Sequence, residues 1–194
     1  MPDSRQQIIE AGLATLREHG YTGFTQPRVA ARAGLRQSHI TYYHPTRLDL
    51  LAAVGRAAVD RQLAAVDATL GALTTIDEAA DAIAELVTRY ENTRVLMALV
   101  QASDEEPQLR QLFGELVDGI ASHVTAFLGR IGGSPVAEES ARFLHALSVG
   151  LSVVSLATGR PDGKQRAADI LLTALRFIAG SPTSPAASSG GGNP

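Results

Sequence analysis

Residues 5–54 read RQQIIEAGLATLREHGYTGFTQPRVAARAGLRQSHITYYHPTRLDLLAAV, and this stretch decides the fold. Ile8, Ile9, Gly12, Leu13 and Leu16 recur at the spacing of one helical face, and Gly20 stands where a left-handed residue would end a helix running from Ser4 to His19. Thr25 suits the N-cap of a short second helix that accepts Pro27 in its first turn and turns Val29, Ala30 and Ala33 inward. Gly34 ends that helix. A third, Arg36 to Tyr43, points Ile40 and Tyr43 inward along with the preceding Leu35. It leaves Gln37, Ser38, His39, Thr41 and Tyr42 mainly outward, and Pro45 stops it. Thr46, with Asp49 three residues on, signals a capping box at the start of a long helix through Leu50, Leu51, Val54, Ala58, Leu63, Val66 and Leu70.

The same chemistry marks later starts: Thr75 with Glu78, Ser103 with Glu106 before Pro107, Ser134 with Pro135, and Asp162 with Gln165. These predict helices over 76–91, 94–102, 107–131, 135–158 and 163–179, separated in part by Gly132-Gly133 and by the Gly159 to Gly163 turn. Of 194 residues 45% are hydrophobic but only 5% aromatic, and strand-favouring runs bounded by turns are missing, so the fold class is all-α. The organisation expected is a small helical module over 1–48, with the linking helix starting at 46, and a larger helical domain over 49–180. Residues 181–194, SPTSPAASSGGGNP, carry no large apolar side chain and should form a disordered tail.

With no cysteine, disulfides, thiolate zinc sites and cysteine nucleophiles are excluded. Met1 to Arg17 is interrupted by Asp3, Arg5, Glu10 and Arg17 and lacks the apolar centre of a signal peptide, and no uninterrupted apolar run approaches the ~20 residues a bilayer requires. A cytoplasmic protein with no membrane partner is expected. His19, His39, His44, His123 and His145 include no pair at the i, i+4 spacing of a helical metal site, and Asp104, Glu105 and Glu106 suit a helix start, so no metal is expected. With no G-x-S-x-G elbow, no phosphate loop and Lys164 as the only lysine, neither an enzyme nor a cofactor is expected.

Charge is distributed unevenly. Residues 1–56 hold seven arginines against four acids, whereas residues 57–194 hold ten basic and sixteen acidic residues. A small basic module on an acidic body suits an anionic partner. Two short helices joined at Gly34 and preceded by a third have the arrangement that sets one helix into the DNA major groove. Gln37 can donate and accept at adenine, Ser38 and Thr41 suit a base or a phosphate, and His39 and Tyr42 share their outer face. Arg28, Arg36, His44 and Arg47 would ring this face and attract phosphates, together with the helix starts near Thr25, Gln26 and Thr46.

The stretch from Arg5 to Val54 resembles the DNA-binding domain of TetR-family transcriptional regulators. Gly20 and Tyr21 match the family's Gly-aromatic pair, Thr25 its N-cap, Val29 and Ala30 its apolar pair, and Ala33, Gly34 and Leu35 its turn. Thr41 stands where tyrosine is usual, His44 where phenylalanine is, and Arg47 where lysine is; Tyr42 and Tyr43 supply tyrosines nearby. The resemblance implies a homodimer that binds a double-stranded operator, most often as a repressor released by a small apolar or amphipathic effector. It further implies that the last two helices pair with those of a second subunit. Leu144, Leu147, Leu151 and Val154 form one candidate stripe for this, and Leu171, Ala174, Leu175 and Ile178 another.

By the same resemblance an effector cavity is expected among the middle helices, with Tyr90, Leu96, Met97, Val100, Phe113, Leu116, Ile120, His123 and Phe127 as candidate lining. For each of these residues taken separately, ordinary core packing is the better account, since apolar residues at helical spacing need no ligand to explain them. Two other readings remain open at this point: a DNA-binding regulator with no small effector, and a helical small-molecule-binding protein or enzyme whose DNA-binding region is vestigial.

Overall fold

The computed structural model describes residues 3–104, 106–132 and 137–180, and all secondary structure among them is helical. The helices are α1 (Ser4–Gly23), α2 (Gln26–Ala33), α3 (Gln37–Tyr43), α4 (Arg47–Ala72), α5 (Ile76–Val87), α6 (Tyr90–Ser103), α7 (Pro107–Gly132), α8 (Glu138–Thr158) and α9 (Gly163–Gly180). The proposed start at Ser134-Pro135 and the proposed tail over 181–194 lie outside the described residues.

The caps that the sequence advertises at Thr25, Gly34, Thr46 and Thr75 are formed. The Thr25 hydroxyl accepts from the Arg28 N–H, and Gly34 takes the left-handed conformation (φ 67°, ψ 25°) with its N–H on the Ala30 and Ala31 carbonyls. At the start of α4 the Asp49 N–H donates to Thr46 Oγ1 at 3.0 Å and the Thr46 N–H to Asp49 Oδ2 at 2.9 Å, so two otherwise unpaired donors are satisfied reciprocally. Thr75 and Glu78 do the same for α5. Gly20 breaks α1 (φ 63°, ψ −168°), and one further turn then runs to Gly23.

Two helix boundaries differ from expectation. α5 ends at Val87 and α6 begins at Tyr90, although neither glycine nor proline marks the break. The Thr88 hydroxyl turns back to the Ala84 carbonyl at 2.7 Å and closes α5 locally. Ser103, expected to cap α7, instead donates to the Val100 carbonyl at 2.7 Å and so belongs to the last turn of α6. By length and composition alone α8 is long and apolar enough to cross a bilayer, although Arg142 and His145 interrupt its apolar run. Its Ala141, Leu144, Ser152 and Ser155 are nevertheless buried within the protein.

Helices α1 to α3 and the start of α4 enclose a small core in which Ile8, Leu16, Phe24, Val29, Ile40 and Leu50 are fully buried. Burial of side chains this large stabilises by roughly 1.5–3 kcal/mol each relative to exposure. α1 packs on α2 within this head and also on α6, α4 packs along α7, and α5 packs along α9. The first helix is therefore shared by head and body.

Candidate nucleic-acid interface and ligand cavity

α3 is held by one fully buried anchor, Ile40, and presents Gln37, Ser38, His39 and Tyr42 to solvent. Tyr42 is 79% exposed and meets Tyr43 edge-on with ring centroids 5.1 Å apart, while the Arg5 guanidinium lies 5.3 Å from the Tyr43 ring. The inner side of α3 is thus fixed by packing, and the outer side is a row of hydrogen-bonding groups on a rigid support. Thr41 is less available, because its hydroxyl donates back to the Gln37 and Ser38 carbonyls at 3.3 and 3.2 Å.

The surrounding residues divide between surface and scaffold. Arg36 is exposed at the N-cap of α3, and Arg28 is exposed while donating through one nitrogen to the Gly23 carbonyl at 2.9 Å. Gln26, assigned to DNA from sequence, spends its amide on the His44 carbonyl at 2.8 Å and so ties α2 to the end of α3. Arg47 also turns inward: Nε donates to the Phe24 carbonyl at 2.7 Å and Nη2 to the Tyr21 carbonyl at 2.8 Å, with the guanidinium over the Tyr21 ring. Its place on the phosphate-facing ring is withdrawn, because these contacts engage the guanidinium. The His44 Nε2 is buried without a partner, and burial pushes the imidazole below its ordinary range, with Arg5 adding to the shift and Asp49 opposing it.

A cavity of about 480 Å³ lies in the body. Of the residues expected to line it, Leu96, Val100, Phe113, Leu116 and Ile120 do so, whereas Tyr90, Met97, His123 and Phe127 do not. Tyr90 and Met97 are exposed, Phe127 is core at 1% exposure, and His123 Nδ1 lies 3.2 Å from an Asp67 carboxylate oxygen. Sequence reasoning missed the contribution of the other walls, including Leu13 and Arg17 of α1, Arg61 of α4 and His145 of α8. Arg17 carried a signal, as a charge one turn beyond the apolar Leu13.

The expected pairing stripes are also placed differently. Leu144, Leu171 and Leu175 are buried at 1% exposure or less inside the chain's own core, and Ala174 and Ile178 are buried with them. Their spacing marks the inner faces of α8 and α9. Leu147 and Leu151 are half-buried, Val154 is 59% exposed, and the apolar Phe143, Ile170 and Phe177, which the stripes omitted, are exposed as well.

Residues 8–54 match the family described as bacterial regulatory proteins of the tetR family, and residues 70–177 match the tetracyclin repressor-like C-terminal domain. The chain belongs to the TetR family. It is 27% identical over 185 residues to the HTH-type transcriptional regulator BetI of Serratia proteamaculans, covering 91% of this chain and 92% of that one. Among solved TetR-like folds, a transcriptional regulator from Rhodococcus sp. Rha1 superposes with a TM-score of 0.76 at 22% identity, covering 93% of this chain and all of that one. The multidrug binding protein EbrR, solved with imidazole, gives a TM-score of 0.69 at 25% identity over 95% of this chain and 99% of that one. This TetR-family chain is a DNA-binding transcriptional regulator whose helix-turn-helix is α2 and α3.

Proposed function

We propose that this regulator acts as a homodimer that reads its operator through α3 and leaves it when a small molecule fills the cavity. The outward row of Gln37, Ser38, His39 and Tyr42 on a helix anchored by Ile40 carries the reading, since only such a row can reach base edges in a groove about 12 Å wide. Thr25, Arg28 and Arg36 contact phosphates and set register. The exposed Phe143, Val154 and Ile170 of α8 and α9 form the dimer face, an apolar surface that a lone subunit would leave in water.

The cavity supports an effector because its volume falls in the range of small-molecule sites and its walls are predominantly apolar. It also reaches α1, so a ligand can favour one placement of the head over another, which it must do to change DNA affinity. The binding of a multidrug class by EbrR is consistent with a cavity of this kind. Anisotropy with duplexes selected from a random pool tests the reading: the expected result is competitor-resistant binding with two protomers per site. Equal binding to selected and unrelated duplexes would overturn it.

A further inference from the structure

The cavity walls are mostly apolar, and the charged side chains among them have one sign. Arg17 and Arg61 line the cavity, and no aspartate or glutamate does so among the described residues. Arg61 is already neutralised, since its two Nη atoms donate to the two carboxylate oxygens of Glu10, one of them at 2.9 Å, and this pairing holds the Glu10 carboxyl below the usual range. Arg17 has no such hydrogen-bonded partner, and acts on the Glu10 carboxyl only through space, as the smallest of the causes that lower it. Among the described residues no carboxylate lies within ion-pair distance of it, and its Nε is buried with no acceptor.

A guanidinium cannot shed its proton to escape such a setting, unlike a buried lysine or histidine. A neutral acceptor satisfies it in part, but an anion satisfies it best, and a carboxylate matches its fork with two parallel hydrogen bonds. The other polar walls add no charge to compete. The hydroxyls of Ser148 and Ser152 donate to the Leu144 and Ser148 carbonyls at 2.8 and 3.0 Å, and burial pushes His145 below its ordinary range, leaving a neutral imidazole at pH 7.

We propose that the effector is an amphipathic carboxylate, its apolar body among the α6 and α7 side chains and its acid group paired with Arg17. This inference rests on the effector reading above and narrows it to one charge class. Because Arg17 belongs to α1, the acid end is held by the helix that also forms the head, while the apolar end is held by the body. The charge of the ligand thereby acts at the junction whose geometry decides DNA binding.

Calorimetric titration of the full chain with decanoate, decanol and decyltrimethylammonium tests this, with the apolar body constant and the head charge varied. Decanoate should bind about tenfold or more tighter than decanol, and the cation more weakly than either. Arg17→Met should bring decanoate to the affinity of decanol, and Arg17→Lys should keep part of the preference. Equal affinity for decanoate and decanol, preference for the cation, no binding of decanoate, or an undiminished preference in a folded Arg17→Met would each overturn it. If the variant fails to fold, the order of the three ligands on the unaltered chain decides. Since titration needs no DNA, its failure is distinguishable from failure of operator binding, which is measured without ligand.

Discussion

The Arg47 guanidinium lies 4.4 Å from the centroid of the Tyr21 ring and donates at 2.8 Å to that residue's own carbonyl. One side chain at the start of α4 thus closes the end of α1, joining the Phe24 N–H on the Tyr21 carbonyl and adding a donor to the Phe24 carbonyl. Arg47→Met should lower the stability of the protein by about 2–3 kcal/mol, from lost charge-assisted hydrogen bonds and a lost cation–π contact. Arg47→Lys should recover only part, because an ammonium cannot span both carbonyls and the ring. Urea unfolding of the two variants beside the parent checks this, and a parent-like midpoint for Arg47→Met would contradict it.

The two glycines with positive φ in the head should respond unequally to alanine. Gly34 sits in the left-handed helical region, which an L-residue enters at a cost of about 1–2 kcal/mol, and an added Cβ there meets nothing within 4 Å. Gly20 combines φ 63° with ψ −168°, a region close to glycine-only. Gly20→Ala should therefore cost more than Gly34→Ala, by about 1 kcal/mol, in thermal unfolding.

His44 should make the head sensitive to mild acid. Its folded-state pKa lies below the ordinary histidine value, so the unfolded chain takes up the proton first. Stability should begin to fall as the pH drops through about 6.5, and the loss is complete once the lowered folded value has been passed. His44→Phe should flatten this slope and raise stability near pH 5.5 by about 1 kcal/mol, since it removes a buried nitrogen that has no partner. Part of the slope should remain, because His145 is shifted in the same direction. Melting temperatures between pH 5 and 8 provide the check.

The dimer face should be sensitive at Phe143 and Val154, which are 54% and 59% exposed. Paired substitution by arginine should give a monomer in sedimentation velocity and weaken operator binding by about tenfold or more, since each head would then bind singly. The same change at Leu171 and Leu175 should instead unfold the chain, because both are fully buried within it.

Much of the head was legible because its punctuation is chemical. Thr25, Gly34, Thr46 with Asp49, and the Ile40 anchor each have a local physical reason to be where they are. The roles of Gln26 and Arg47 were not legible, because a long polar side chain reads the same in sequence whether it reaches outward to phosphate or inward to a carbonyl 18 or 23 residues away. The cavity was half legible for a related reason. Periodicity locates apolar faces on α6 and α7 but not the helix opposite them; the charge of Arg17 one turn beyond Leu13 is visible in the sequence, but its place at the cavity is set by tertiary packing. Spacing likewise marked the stripes on α8 and α9 without saying whether each faces its own core or a neighbour.

The most direct test of the central claim is the affinity of the unaltered chain and Gln37→Ala for an operator and its single-base variants, by anisotropy at two salt concentrations. Gln37 is exposed on α3 and has no part in the core, so its loss should leave folding intact and relax the preference at one base pair by roughly 1–3 kcal/mol, with the salt dependence unchanged. A Gln37→Ala protein that discriminates among all the variants as the parent does would contradict the assignment of Gln37 as a base-reading residue on α3.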